Sequence, residues 1–186
     1  MNRAHLALAL AGVAAVGGYA ASGHPLRPDV PAAPRVSSPA AGPAIAVADK
    51  RLLQNNGDIG AWLSLADAFT QAGATGRAVD AMQVALGAFP RSPDLWVGLG
   101  NALVIHAEGQ ITPAARLAFG RASVLDPAHP GPRYFLGLAY LQGGKPMDAV
   151  ATWEALRDSS PPGSPWLADL NERIAAARMM AKLPPR

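Results

Sequence analysis

From Ala44 onward the apolar residues return at intervals of three and four, the spacing that gathers them on one side of an α-helix. Trp62, Leu65, Ala66 and Phe69 mark out one such side; Gly73 turns the chain, and Ala78, Met82 and Ala85 mark out a second that closes at Pro90. The pattern then repeats. Trp96, Leu99, Gly100 and Leu103 fall 34 residues after their counterparts, whereas Ala115, Phe119, Ala122 and Pro127 fall 37 residues after theirs. The second unit therefore carries three extra residues between its helices, within Ala107 to Pro113, where Gly109 and Pro113 permit a longer turn. A third unit returns to 34 with Leu136, Gly137, Tyr140, Gly144, Ala149, Trp153 and Pro161.

The residue types suit helices packed in pairs. Small side chains at Ala66, Gly100 and Gly137, and at Ala78, Ala115 and Ala149, let two helices approach closely. Large ones at Phe69, Met82, Phe119, Tyr140 and Trp153 fill the space between, each worth about 1.5–3 kcal/mol when fully buried. Prolines 90, 127 and 161 end each second helix, with Ser92 and Asp126 nearby as turn-forming oxygens. Stacked units cannot bury their outermost faces, so capping helices are expected. Ala44 to Asn55, with Val47, Leu52 and Leu53, reads as the leading one; Trp166, Leu167, Leu170 and Ile174 mark the closing one, with Asp169, Glu172 and Arg173 toward water.

A recurrence of this length, built from helix, turn and helix, resembles the tetratricopeptide repeat (TPR). The expected fold is an all-α TPR superhelix over residues 44–183, with repeats at about 59–92, 93–129 and 130–163 and a closing helix at about 164–182. In such a stack the first helix of each unit lines the concave side. The residues left free of packing by their spacing are Leu63, Asp67 and Thr70, then Val97, Asn101, Val104 and Ile105, then Tyr134, Leu138, Leu141 and Gln142. This is an apolar set, suited to the apolar side of a helical peptide; the other reading is that the end helices cover part of it. TPR proteins that clamp a peptide carboxylate use Lys and Arg alongside Asn. Here Asn101 is present without Lys or Arg, so an anionic terminus would lack cationic partners.

Ahead of the repeats, Ala4 to Ser22 is an almost uncharged stretch of 19 residues, about 28 Å as a helix. That approaches the thickness of a bilayer core, so residues 1–23 read as a membrane anchor, with a cleaved signal peptide as the alternative. Arg3 and the amino terminus would hold the N-terminal side in the cytoplasm, with the repeats across the membrane, although Arg27 and Arg35 just past the segment weaken that preference. Residues 24–43 carry prolines 25, 28, 31, 34, 39 and 43 and read as a linker, either a semi-stiff extended spacer or a plain tail.

Composition narrows the chemistry. Half of the 186 residues are apolar and 16% are charged, enough to bury a core. The net charge of +3 comes from 16 basic residues spread from Arg3 to Arg186 without a cluster, which argues against nucleic acid. Without cysteine there is no disulfide, thiolate nucleophile or covalent haem attachment. Histidines 5, 24, 106 and 129 lack metal-ligand spacing, so no metal site is expected. Gly143, Gly144 and Lys145 run into Pro146 with no preceding strand, which makes them a helix-helix turn rather than a phosphate loop. No catalytic constellation stands out; the expectation is a binding protein, not an enzyme, with no cofactor.

Across about Ala44 to Ile174 the sequence also resembles the TPR-containing cytochrome c biogenesis factors of the CycH/CcmI type. The resemblance rests on the longer second unit with Gly109 to Ala114, and on Asp126, Pro127, Ala128, His129 and Pro130 followed by Arg133 to Ala139. Gln142, Gly143, Trp153, Pro165 and Trp166 complete it. It implies a periplasmic chaperone on the bacterial inner membrane that binds the C-terminal helix of apocytochrome c, or another protein helix, and hands it to haem lyase subunits. The assembly factor of the cytochrome c nitrite reductase system has similar units. Longer members carry two transmembrane helices and a cytoplasmic loop before the repeats, where this chain has one short apolar segment. A general TPR scaffold of the cell envelope is the competing reading.

Overall fold

Residues 42–182 are described by a computed structural model of the chain; the expected N-terminal anchor and most of the Pro-rich linker lie outside them. Eight helices and no strands occur among the described residues: α1 (Pro43–Gln54), α2 (Ile59–Gln71), α3 (Thr75–Ala88), α4 (Pro93–His106), α5 (Pro113–Leu125), α6 (Gly131–Gln142), α7 (Pro146–Ser159) and α8 (Leu167–Met180). None of these is long and apolar enough to cross a membrane. Pro43, assigned to the linker from sequence, instead opens α1, since proline at the first helical position gives up only a donor that would be unpaired anyway.

The helices pair as α2 with α3, α4 with α5, and α6 with α7, and the first helices α2, α4 and α6 adjoin one another along one side. Local chemistry sets the boundaries. Asp58, Ser92 and Thr112 accept hydrogen bonds from the backbone N–H groups of Ala61, Leu95 and Ala115 and so cap α2, α4 and α5. Gly73 and Gly144 turn the first and third units in the left-handed region, with φ of 73° and 70°. The second unit needs two left-handed residues in succession, Glu108 at 53° and Gly109 at 87°, and this is where its extra residues are accommodated.

Trp62 and Trp96 do more than fill space. The indole N–H of Trp62 donates to the carbonyl of Asn56 at 2.9 Å, and that of Trp96 donates to Pro90 at 2.8 Å, so each ties its helix to the turn before it. Donors and acceptors both repeat at 34 residues, which makes this a device of the unit rather than an accident of one turn. In the third unit the equivalent position is Arg133, whose Nη1 donates to Ser159 Oγ at 2.8 Å.

The end helices are half-units. Ile45, Ala48 and Leu52 stand 34 residues before Val79, Met82 and Leu86, and all six are buried, so α1 packs on α2 as α3 packs on α4. Its other side, Ala44, Val47 and Arg51, matches the fully buried Ala78, Ala81 and Ala85 but is exposed. Arg51 is ion-paired there with Asp58 at 2.6 Å. At the far end Leu170 and Ile174 of α8 take the register of Leu136 and Tyr140, while polar Asn171 stands exposed where Gly137 meets its partner helix. A buried ion pair, Arg178 with Glu154 at 2.8 Å, ties α8 to α7.

The core falls into three clusters along the stack: one from α1 to α4 that also takes in Ala118 of α5, one joining α4, α5 and α6, and one of α6, α7 and α8. The joint after the longer second unit is the thinnest. α5 packs closely on α4 but touches α6 far less than α3 touches α4 or α7 touches α8. Leu117 and Val124 of α5 are accordingly 61% and 76% exposed. Backbone hydrogen bonds under such thin cover open more readily. Hydrogen exchange monitored by mass spectrometry should find α5 amides less protected than those of α3 and α7; equal protection would contradict this account of the joint.

Candidate functional site: an apolar groove across the first helices

The first helices of the three units enclose an open groove of about 410 Å³. Leu63, Ala66, Asp67 and Thr70 of α2 form one side, Val97, Gly98 and Asn101 of α4 the floor, and Tyr134 and Phe135 of α6 the other side; Trp166 and Asp169 close one end. Gly98 keeps the floor low. A Cβ there would come within 2.7 Å of Leu63 Cδ2 and Met82 Sδ.

Six of the eleven residues expected from spacing meet in this groove: Leu63, Asp67, Thr70, Val97, Asn101 and Tyr134. The other five lie elsewhere. Val104 is 3% exposed and belongs to the cluster of α4, α5 and α6, because α6 lies against that end of α4. Ile105 stands half-buried in the last turn of α4, outside the groove. Leu138 and Leu141 are half-buried against the cluster of α7 and α8, which takes them out of the open groove. Gln142 ends α6 beside the long turn of the second unit, its Cβ 3.2 Å from where a Cβ on Gly109 would lie. Spacing along the chain treats every unit as stacking alike, and the longer turn and the closing half-unit both break that regularity.

Among the wall residues that escape the reading by spacing are Asp94, His129, Trp166 and Asp169, the last of which spacing turns toward water. The ring of His129 bridges two units. Its Nδ1 accepts the N–H of Gly131 at 3.0 Å, which leaves the proton on Nε2 to be donated to Asp94 Oδ1 at 2.9 Å. Thirty-five residues separate His129 from Asp94, so no local spacing marks the contact. At the closed end the hydroxyl of Tyr134 donates to Asp169 Oδ2 at 2.9 Å, and Arg173 Nε donates to the same oxygen at 2.7 Å. The guanidinium also stands 5.3 Å from the Tyr134 ring centroid. Hydrogen bonds from Arg173 and Tyr134 hold the Asp169 carboxyl below the usual carboxylate range, while burial pushes the Tyr134 hydroxyl up.

Asp67 differs. It has no hydrogen bond or ion pair with another described residue, and partial removal from water pushes its carboxyl up. A carboxyl whose folded pKa is raised contributes stability below its unfolded pKa and loses that contribution as pH rises through the folded value. At neutral pH the ionised Asp67 is therefore a mild liability. Asp67→Asn should raise the thermal midpoint slightly at pH 7, with the difference from the wild type shrinking as pH falls below the carboxylate range. A lowered midpoint at pH 7 would show that the carboxylate has a stabilising partner after all.

Among the described residues lining the groove there is no Lys or Arg. Nor does any group of three His, Cys, Asp or Glu among the described residues have metal-binding geometry. The surface that remains is an apolar trough with a few polar edges, of a form that receives a side of a helix rather than a small charged metabolite.

No family model matches the chain. The cytochrome c-type biogenesis protein CycH of Rhizobium meliloti (strain 1021) is 34% identical over 159 residues, which is 84% of this chain and 42% of that protein. CycH of Bradyrhizobium diazoefficiens is 33% identical over 173 residues, 89% of this chain and 47% of its own length. Among solved structures, TTC0263, a thermophilic TPR protein of Thermus thermophilus, superposes with a TM-score of 0.60 at 20% identity, over 75% of this chain and 73% of that one. MamA superposes with a TM-score of 0.50 at 22% identity, over 75% and 77% of the respective chains. These structural likenesses concern the fold. With its repeats stacked as TPR units, the chain is a homologue of the cytochrome c-type biogenesis proteins CycH, and it spans less than half of their length.

Proposed function

We propose that this chain is a binding protein, not an enzyme, which takes part in cytochrome c maturation by holding a helical segment of apocytochrome c in the groove of α2, α4 and α6. One observation carries the reading: an open, apolar trough without Lys or Arg, built by the helices that face one another across the three units. An amphipathic helix laid in such a trough buries its apolar side, and each large side chain fully removed from water contributes about 1.5–3 kcal/mol. The CycH relatives supply the biological setting, since both are named for cytochrome c-type biogenesis. The resemblance and the apolar stretch Ala4 to Ser22 favour the periplasmic face of the inner membrane, where haem lyase subunits would be the next partners. Protease accessibility in spheroplasts tests that placement, and digestion of the repeats only after lysis would refute it.

The groove itself is tested by filling it. Asn101 is half-buried on the floor without a hydrogen bond to another described residue, so Asn101→Trp should occupy the trough at little cost to folding. Fluorescence anisotropy with a labelled peptide of the C-terminal helix of the organism's own apocytochrome c should give a dissociation constant at least about tenfold weaker for the variant, with its thermal midpoint within a few degrees of the wild type. Unchanged affinity would remove the groove from the mechanism. The scaffold reading draws support from Leu117, Val124 and Met147, large apolar side chains exposed on the second helices outside the groove. A deletion strain with normal c-type cytochromes would favour it.

A further inference from the structure

We propose that the helix accepted by this groove is a cationic one, and that Asp67 selects it by meeting a Lys or Arg at the edge of its apolar side. The inference rests on the groove reading above and adds the charge of the partner. The net charge of +3 comes from residues outside 42–182, where twelve Lys and Arg balance twelve Asp and Glu, yet the titratable side chains lining this groove are Asp67, Asp94, Asp169, His129 and Tyr134, with no Lys or Arg. Four of these are engaged with one another or with Arg173: Asp94 with His129, and Asp169 with Tyr134 and Arg173. Asp67 alone among the lining carboxylates is without a partner in the described residues, and it stands between Leu63 and Thr70 on the same wall.

An unpaired carboxylate that burial already penalises will be desolvated further when an apolar helix covers it. A neutral or acidic partner would deepen that penalty. A basic residue would offset it with a charge-assisted hydrogen bond in a medium of reduced dielectric, where ion pairs count for more than at the open surface. Asn101, unpaired on the facing floor, offers both a donor and an acceptor without altering the sign of the field. No Lys or Arg lines the trough, and Arg173 at its closed end is already paired with Asp169, so an acidic helix would find no free compensating charge there.

The test uses the full chain and three labelled amphipathic peptides with one common Leu/Ala side, whose edges carry Lys, Gln or Glu. Anisotropy titrations should show the Lys peptide binding about tenfold more tightly than the Gln peptide, with the Glu peptide weakest and the spread narrowing as salt is raised. Asp67→Asn should abolish most of the Lys preference, and Asp67→Lys should reverse it in favour of the Glu peptide. Asp80→Asn, an exposed charge on α3, should leave the preference intact. Equal binding of all three peptides, or equal effects of the Asp67 and Asp80 variants, would overturn the charge inference while leaving the groove reading standing. Failure of every peptide to bind, the apocytochrome helix included, would overturn the groove reading and this inference with it.

Discussion

Phe119→Ala should cost about 4 kcal/mol of unfolding free energy, measured as a shift in the urea midpoint, which would make it one of the most damaging single truncations in the stack. The ring is 2% exposed and lies in the cluster that joins α4, α5 and α6. Phe119 also fills the space left by Gly100, whose missing Cβ would sit 2.6 Å from the ring. No other side chain of α5 can replace it: Ala115, Ala118 and Ala122 complete the buried side of that helix, and Leu117 and Val124 point to solvent. Since α5 has little cover from α6, the ring is its main anchor, and the surrounding alanines cannot collapse into the cavity. A loss below about 1 kcal/mol would mean that α5 is held by something other than this contact.

Gly137→Ala is the opposite kind of change, and about 3 kcal/mol is expected from it, at the upper end of ordinary overpacking. A Cβ at this position would collide with Nε1 and Cε2 of Trp153, a ring with no exposed surface. The indole cannot simply swing away, because its N–H donates to the carbonyl of Tyr134 at 3.0 Å, and breaking that bond would strand a buried donor. Gly120→Ala serves as the control. Gly120 lies in the middle of α5, and a methyl group there would meet nothing within 4 Å, so alanine should stabilise by about 0.5–1 kcal/mol through helix propensity alone. Thermal melts would separate the two by roughly 10 °C for a folded region of this size. Similar midpoints for both alanine variants would show that α6 and α7 can move apart, against the close approach seen here.

Both predictions concern features already legible along the chain. The pairing of Gly100 with Phe119, and of Gly137 with Trp153, can be anticipated because small and large positions recur in fixed register, and a repeat can satisfy its neighbours in only one way. The turns are equally plain, since Gly73 and Gly144 occupy positions where a left-handed residue must follow a helix end. Spacing reads the site less well. Leu63, Asp67, Thr70, Val97, Asn101 and Tyr134 converge, but Leu138 and Leu141 pack into the cluster of α7 and α8, and Val104 is buried between α4, α5 and α6.

Periodicity along the chain is enough to specify the all-helical architecture, the three-unit register, the longer second turn and the small-against-large contacts inside each unit. These follow from interactions between residues a few positions, or one repeat, apart. How the units lean on one another emerges only once they are packed: α5 is left half-covered, His129 reaches Asp94 across 35 residues, and Asp67 alone among the groove's carboxylates is left without a partner in the described residues. The physical reason is that packing between successive units depends on the angle at which each helix leaves its turn, and the left-handed pair Glu108 and Gly109 sets that angle in the second unit without changing the spacing of a single apolar residue.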